Sequence, residues 1–293
     1  LGLKNIGIGH NSLKFTESSL NIAIGDESLY TNIIGVHNIA FGYKSLHKNV
    51  SHNNNVAIGN YSLFNTNGEN NIGIGKDTLY NNNNGDRNIA IGSNCLDLNK
   101  ECFDNIAIGS YSGGSNQNFK KNTKIINNIS IGSFSLHDNE GNDNIGIGSE
   151  TLNRNVKGNK NIALGTNALL KNKYSDNIAI GYDSLKNFNG ETCNFAIGNN
   201  SLKNNINGLH NLAFGLNNLF KNINGSNNLS TGHESLKNNK SGNDNIVYGN
   251  NNLSSNIHGN KNISLGNFSL HNNTTGNDNI SFGYESLYKN ING

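Results

Sequence analysis

The chain has 293 residues, a formal net charge of +2 and a hydrophobic content of 33%. Both signs of charge are scattered, which argues against the basic face of a nucleic-acid-binding protein. No apolar run approaches the roughly 18 residues that a membrane span needs. The chain contains 69 Asn and no Met, so we expect a processed product or part of a longer chain.

A five-residue block related to NIAIG recurs along the whole sequence. Its last residue, called the marker glycine below, returns every 16 or 17 residues, with one gap of 23. A fixed short period is typical of a solenoid. We therefore predict a single β-solenoid array over residues 1–293. The seventeen marker glycines are Gly9, Gly25, Gly42, Gly59, Gly75, Gly92, Gly109, Gly132, Gly148, Gly165, Gly181, Gly198, Gly215, Gly232, Gly249, Gly266 and Gly283.

Equivalent positions around the marker glycine carry the same residue types. Asn stands four residues before it in every copy. A large apolar residue follows this Asn, then Ala, Gly or Ser in all copies but that of Val247, then an apolar residue in all but that of Thr231. Leu stands four residues after the marker, except at Gly113. These columns indicate that each copy has the same structure.

Each copy is predicted to form one coil. The triplet I-A-I has strand periodicity, which places its two large residues on one face and the small residue on the other. The marker glycine permits a sharp bend, a second short strand holds the Ser-Leu pair, and an Asn- and Gly-rich turn leads to the next coil. We predict an all-β solenoid of 17 coils, each of about 17 residues, in which the two branched residues and the Leu form three buried columns.

Two further columns have structural interpretations of their own. Identical amides stacked at strand spacing can hydrogen-bond along their column, so we predict that the invariant Asn forms a ladder. The small residues, such as Ala23, Ala40 and Ala57, have two interpretations. They face outward against a close neighbour such as another copy of the chain, or they line an interior too narrow for larger side chains.

The repeat is interrupted between Gly109 and Asn128, where 18 residues, SYSGGSNQNFKKNTKIIN, replace the usual 11 or 12. Insertions into solenoids form surface loops, some of which bind partners. We predict a surface-loop insertion within residues 110–127. The candidate contact residues for an anionic or glycan partner are Phe119, Lys120, Lys121 and Lys124. The alternative is a tolerated bulge without a binding role.

No residue set in the repeat points to catalysis, a cofactor or a metal. Catalysis needs unlike residues to converge, whereas the repeat presents the same surface many times. His47, His137 and His271 share a repeat position several coils apart, and the three cysteines, Cys95, Cys102 and Cys193, form no disulfide framework. We predict no enzyme, no cofactor, no metal and no nucleic-acid partner. The acidic residues of the bend are expected to be solvated: Asp26, Glu27, Asp77, Glu150, Asp183, Glu234 and Glu285.

Blocks such as NIAIGYDSL at residues 177–185 resemble the head repeats of YadA-type trimeric autotransporter adhesins. Similar longer repeats occur in fibre proteins of phages and large viruses. The resemblance covers all seventeen copies, although the period is longer here and Asn replaces the Ser that commonly opens the family's core. It implies a left-handed β-roll, three chains side by side, and a location at a cell surface or at a virus or phage particle surface.

The repeat and the resemblance together predict a structural fibre or an adhesin-like shaft segment that is extracellular and assembles with itself. The partner is then another copy of the chain, in a homo-oligomer such as a trimer or in an end-to-end filament, and a glycan or host surface is a candidate ligand. The alternative function is a carbohydrate-binding or carbohydrate-acting spike with sites between chains.

Overall fold

A computed structural model describes residues 3–98, 100–114, 124–191 and 193–293. All regular structure in these residues is β, and no α-helix occurs among them. The chain divides into two compact units, Leu1–Ser149 and Glu150–Gly293. Each unit is a stack of β-solenoid coils, which confirms the predicted fold class.

Every strand has three residues. The first unit contains β1 (Ile6–Ile8), β2 (Ile22–Ile24), β3 (Ile39–Phe41), β4 (Val56–Ile58), β5 (Ile72–Ile74), β6 (Ile89–Ile91), β7 (Glu101–Phe103), β8 (Ile106–Ile108), β9 (Lys124–Ile126), β10 (Ile129–Ile131) and β11 (Ile145–Ile147). The second contains β12 (Ile162–Leu164), β13 (Ile178–Ile180), β14 (Phe195–Ile197), β15 (Leu212–Phe214), β16 (Leu229–Thr231), β17 (Ile246–Tyr248), β18 (Ile263–Leu265) and β19 (Ile280–Phe282).

Strands of consecutive coils pair in parallel and in register. In the first unit β2 pairs with β3, so that Ala23 lies opposite Ala40. In the second unit β13 pairs with β14, so that Ala179 lies opposite Ala196. The only departure among the described residues is a separate pair, β7 with β9, beside the interruption of the repeat. Equivalent side chains therefore stack at the strand spacing of about 4.8 Å.

The small residue of each strand faces the interior, and the two large residues face outward. Ala23, Ala40 and Ala179 are fully buried, whereas Ile39 is 38% exposed. The prediction that the branched residues form buried columns is therefore wrong, and so is the outward interpretation of the small column. The narrow interior explains this, because Ser62, Leu63 and Thr78 already fill the space beside Gly73.

The segment after each marker glycine is a turn, and the predicted second strand is wrong. Leu29 and Leu185, four residues after their markers, have φ of 47° and 49° and are fully buried. A left-handed conformation costs an L-residue about 1–2 kcal/mol. Burying a Leu side chain offsets this with roughly 1.5–3 kcal/mol. The turn thus aims one large apolar side chain per coil into the core.

Marker glycines are required by both backbone angle and space. Gly42 has a φ of 133°, which L side chains rarely adopt. A Cβ added there would lie 2.6 Å from the carbonyl carbon of Gly59 in the next coil. Only glycine allows consecutive bends to approach this closely.

The predicted Asn ladder is present and buried. The backbone N–H of Asn88 donates to Oδ1 of Asn71 at 3.1 Å, and Nδ2 of Asn88 donates to the same oxygen at 3.0 Å. Nδ2 of Asn88 also donates to the carbonyl of Cys102 at 2.6 Å. Each amide thereby satisfies backbone groups that the narrow interior separates from water.

A second Asn column, seven residues after the marker, supports the return turn. In the second unit, Nδ2 of Asn222 donates to Asn205 Oδ1 and to the Gly225 carbonyl, both at 2.8 Å. Nδ2 of Asn211, from the first column, reaches the same Gly225 carbonyl at 2.8 Å. The two Asn columns therefore donate to the same turn carbonyl in each coil. Together they account for much of the Asn content of the chain.

Candidate functional site

The most extensive candidate site is the outer surface of the repeated sheet. The outward apolar face is defined here as the first and third residues of each three-residue strand, with β7 and β9 excluded. Among these positions, only Thr231 is polar and none is charged. The face exists because strand alternation directs these residues away from an interior already filled by Ala, Ser, Leu and amide side chains.

Many residues of this face are open to solvent. In the first unit β3 exposes Ile39 and Phe41, and in the second β17 exposes Ile246 and Tyr248. Other members are half-buried, because each covers its neighbour in the adjacent coil. The most exposed members are Ile6, Ile8, Ile22, Ile39, Phe41, Ile58, Ile147, Leu212, Leu229, Ile246, Tyr248, Ile280 and Phe282.

The exposed apolar area of the face in one unit is comparable with the largest patch that a typical monomer carries. A fully buried aliphatic side chain represents roughly 60–120 Å², of which roughly a third remains exposed here. The nine strands of the face in the first unit then offer on the order of 500 Å². The largest patch of a typical monomer covers roughly 300–600 Å², and a stable interface takes about 800 Å² from each partner.

A second surface runs along the bend after the marker glycine and differs between coils. In the first unit, Tyr30, His47, Phe64 and Tyr80 stack in consecutive coils, with neighbouring ring centroids 5.0–5.2 Å apart and planes within 11°. Lys48 Nζ lies 5.2 Å from the Phe64 ring centroid, within the range of a cation–π contact. His47 is thus part of an aromatic stack.

In the second unit the same bend carries ion pairs. Asp183 accepts hydrogen bonds from Lys186 at 3.1 Å and Lys203 at 2.8 Å, and from Asn167 at 2.9 Å. Burial acts to raise the pKa of Asp183, but the Lys203, Asn167 and Lys186 hydrogen bonds outweigh it, so the pKa lies below its ordinary value. The expectation that this carboxylate is solvated is wrong, since only 2% of the residue is exposed.

The predicted contact loop is only partly within the described residues. Phe119, Lys120 and Lys121 lie outside them. Lys124 begins β9 and is exposed, with its Nζ 4.6 Å from the ring centroid of Phe103. A role for these residues in binding an anionic or glycan partner stays a prediction.

Neither a metal-binding cluster nor a membrane-spanning helix occurs among the described residues. No group of three or more His, Cys, Asp or Glu in the described residues could hold a metal ion. Cys95, Cys102 and Cys193 form no disulfide with one another; Cys95 and Cys102 are buried and Cys193 is exposed. The described part of the chain has no helix of the length and apolarity that crossing a membrane requires.

No protein-family model matches this chain, and no curated protein matches it.

The sequence predictions missed the outward apolar face, because the two faces of the strand were assigned the wrong way round. One signal was present: the middle position accepts Ala, Gly and Ser but almost nothing larger. That restriction is typical of a crowded interior. The flanking Ile columns then had to be the outer surface.

Proposed function

We propose that this chain is a structural shaft segment of a surface fibre, in which copies of the chain pack side by side through the outward apolar face. The observation that carries the proposal is the continuous apolar surface on the paired strands of each unit, with no charge at any position. Water contact with such a face is unfavourable at roughly 25 cal/mol per Å². A second copy, with the same apolar face, is a partner that can cover it along its length.

The proposed number of chains and the location come from the resemblance to trimeric autotransporter heads. A three-chain bundle encloses three apolar faces around one axis, whereas a two-chain pair covers one face with another. The resemblance favours three chains and an extracellular surface.

The internal bonding supports a mechanical role. Within each unit, paired strands and Asn side chains link every coil to the next, as in the bonds from Asn105 to Asn88 and from Asn262 to Asn245. Repetition of one stiff coil gives length and a regular surface without a unique site. This fits a spacer better than it fits a catalyst, which needs unlike groups to converge.

The experiment measures the mass of the full chain in solution by light scattering and sedimentation. The chain mass is 31.6 kDa, and we expect a multiple of it, with three as the preferred value. The double variant Ile39→Lys, Ile246→Lys places a charge on the face in each unit and should give monomers, because an unpaired buried charge is strongly unfavourable.

The matched control is Ile34→Lys, Leu216→Lys, which makes the same change at exposed apolar residues outside the face. This control should keep the wild-type mass. A wild-type monomer at tens of micromolar chain, or a face variant that still assembles, would contradict lateral packing. Fibres of the face variant that grow only lengthwise would instead indicate end-to-end stacking.

A further inference from the structure

A cavity of about 310 Å³ lies on the bend surface of the first unit, away from the outward apolar face. Its lining side chains are all half-buried. A volume near 300 Å³, with aromatic walls and a few polar groups, is the usual form of a small-molecule site. The lining residues are Tyr61, Asp77, Tyr80, Asn94, Asp97 and Leu98.

Two tyrosine rings form the apolar wall of the cavity. Tyr80 stacks on Phe64 with a centroid distance of 5.0 Å, and the Tyr61 ring centroid lies 6.1 Å from that of Tyr80. The cavity is bordered by Tyr80 and by Asp97 of the next coil, but not by Phe64. It therefore lies over the face of the Tyr80 ring that is opposite Phe64.

The repeat supplies an internal comparison for the carboxylates of this cavity. Asp183 stands two residues after its marker glycine and binds two ammonium groups, from Lys186 in the same coil and Lys203 in the next. Asp77 stands at the same repeat position. The residues that correspond to Lys186 and Lys203 are there Tyr80 and Asp97. Two intramolecular ammonium groups are thus replaced by an aromatic ring and a second carboxylate.

Among the described residues, the other charged groups near the cavity do not compensate both acids. Lys76 Nζ lies 3.5 Å from Asp77, but the Lys76 side chain is 67% exposed. Asp97 accepts a 3.4 Å hydrogen bond from Asn94, and His137, whose charge would favour the carboxylate, hydrogen-bonds Asp138 at 3.0 Å. Burial raises the pKa of Asp97 above its ordinary value, and the Asn94 hydrogen bond offsets only part of this effect.

We propose that this cavity binds a small organic ammonium ion. The ammonium group of the ligand lies between the carboxylates of Asp77 and Asp97. It supplies the positive charge that Lys186 and Lys203 supply to Asp183 in the second unit. The apolar part of the ligand packs against Tyr80 and Tyr61, whose ring faces attract cations. A neutral saccharide could also stack on Tyr80, but it would add no positive charge beside Asp97.

The test titrates the full chain with n-butylammonium chloride, followed by calorimetry and by NMR of the tyrosine ring signals. The neutral probes are n-butanol and methyl β-glucoside. We expect saturable binding of the amine alone. Asp97→Asn should weaken the affinity for n-butylammonium at least about tenfold, which corresponds to a change in binding free energy of roughly 1.4 kcal/mol. Asp244→Asn, an exposed carboxylate of the second unit, should leave it unchanged.

A second variant tests the proposal by supplying an ammonium group from the chain itself. Tyr80→Lys restores the ammonium that Lys186 supplies in the second unit, so it should abolish amine binding and raise the melting temperature. If Tyr80→Lys does not fold, Asp97→Asn, which should melt no lower than wild type at pH 7, carries the test. Saturation by n-butanol or methyl β-glucoside as strong as that by the amine would overturn the proposal. So would unchanged binding by Asp97→Asn, or no saturation of the folded wild-type chain.

Discussion

The side-chain oxygen of Asn211 accepts two hydrogen bonds from Asn228, which lies one coil further along. The backbone N–H of Asn228 donates at 3.1 Å and its Nδ2 donates at 3.0 Å. An Asp would lack the donor and a Ser would lack the reach, so only an amide of this length makes both contacts. The Asn column is therefore a structural link between coils, located where each strand begins.

Replacing one ladder residue should destabilise the stack. Asn177→Leu removes the oxygen that accepts the Asn194 backbone N–H at 2.9 Å, and the Nδ2 that donates to the Ser175 carbonyl at 3.0 Å. Each buried group left without a partner costs about 1–3 kcal/mol. We expect a clearly lower melting temperature by circular dichroism. Asn207→Leu, at an exposed turn residue, is the control and should melt like wild type; equal melting of the two variants would refute the ladder.

Substitution by alanine should affect stability differently at the two kinds of glycine in the repeat. Gly42→Ala forces an L-residue to a φ of 133° and against the Gly59 carbonyl, and strained backbone alone costs of order 1–3 kcal/mol. Gly7→Ala adds a Cβ whose nearest neighbours lie at an ordinary 3.4 Å, at a position that carries Ala in other coils. Chemical denaturation should show a large loss for Gly42→Ala and no loss for Gly7→Ala. If Gly42→Ala were as stable as wild type, consecutive bends would not be in close contact.

The Asp183 ion pairs should make stability depend on pH. The pKa of Asp183 is lower in the folded chain than its ordinary value of 3.8, so the unfolded chain binds its proton more tightly. The resulting stabilisation is present above pH 3.8 and is lost as the pH falls through the folded pKa. Asp183→Asn should therefore melt below wild type at pH 7, and the two curves should converge in acid. A difference in melting temperature that stays constant with pH would indicate an effect of packing instead.

The charge of Asp97 should change stability with pH in the opposite direction to that of Asp183. Burial raises its pKa above 3.8 in the folded chain, with the Asn94 hydrogen bond offsetting part of the effect. Folding is then disfavoured once the pH exceeds the folded pKa, and the penalty vanishes below 3.8. Asp97→Asn should raise the melting temperature at pH 7 and leave it unchanged in strong acid. A lower melting temperature at pH 7 would show that a cation already compensates this carboxylate.

The period of the sequence was sufficient to predict the stacked all-β coil and the Asn ladder. The Asn four residues before the marker glycine is present in every copy from Asn5 to Asn279, and identity at a fixed period is the signature of stacked repeats. The position of a residue along the coil is therefore readable from one chain.

The direction in which a side chain points was less readable. Alternation in Ile178, Ala179 and Ile180 specifies two faces but not which one is inside. The usual rule that the larger apolar residues are buried fails here, since the interior has room for Ala179 and not for Ile. The left-handed φ of Leu185 was also hidden, because Leu carries no turn signal of the kind that Gly or Asn gives.

Thiol reactivity can check the closed interior directly. Sγ of Cys95 donates to the Ala107 carbonyl at 3.2 Å, and burial raises the pKa of this thiol to about 12. Since the thiolate is the reactive form, iodoacetamide at pH 8 should leave Cys95 unmodified in the native chain. Cys102 is also buried, whereas Cys193 is exposed, so mass spectrometry should find one adduct, which Cys193→Ser abolishes, and three adducts in denaturant. Rapid native labelling of Cys95 would mean that the coil interior opens to solvent, which the fully buried Ala and Leu columns do not allow.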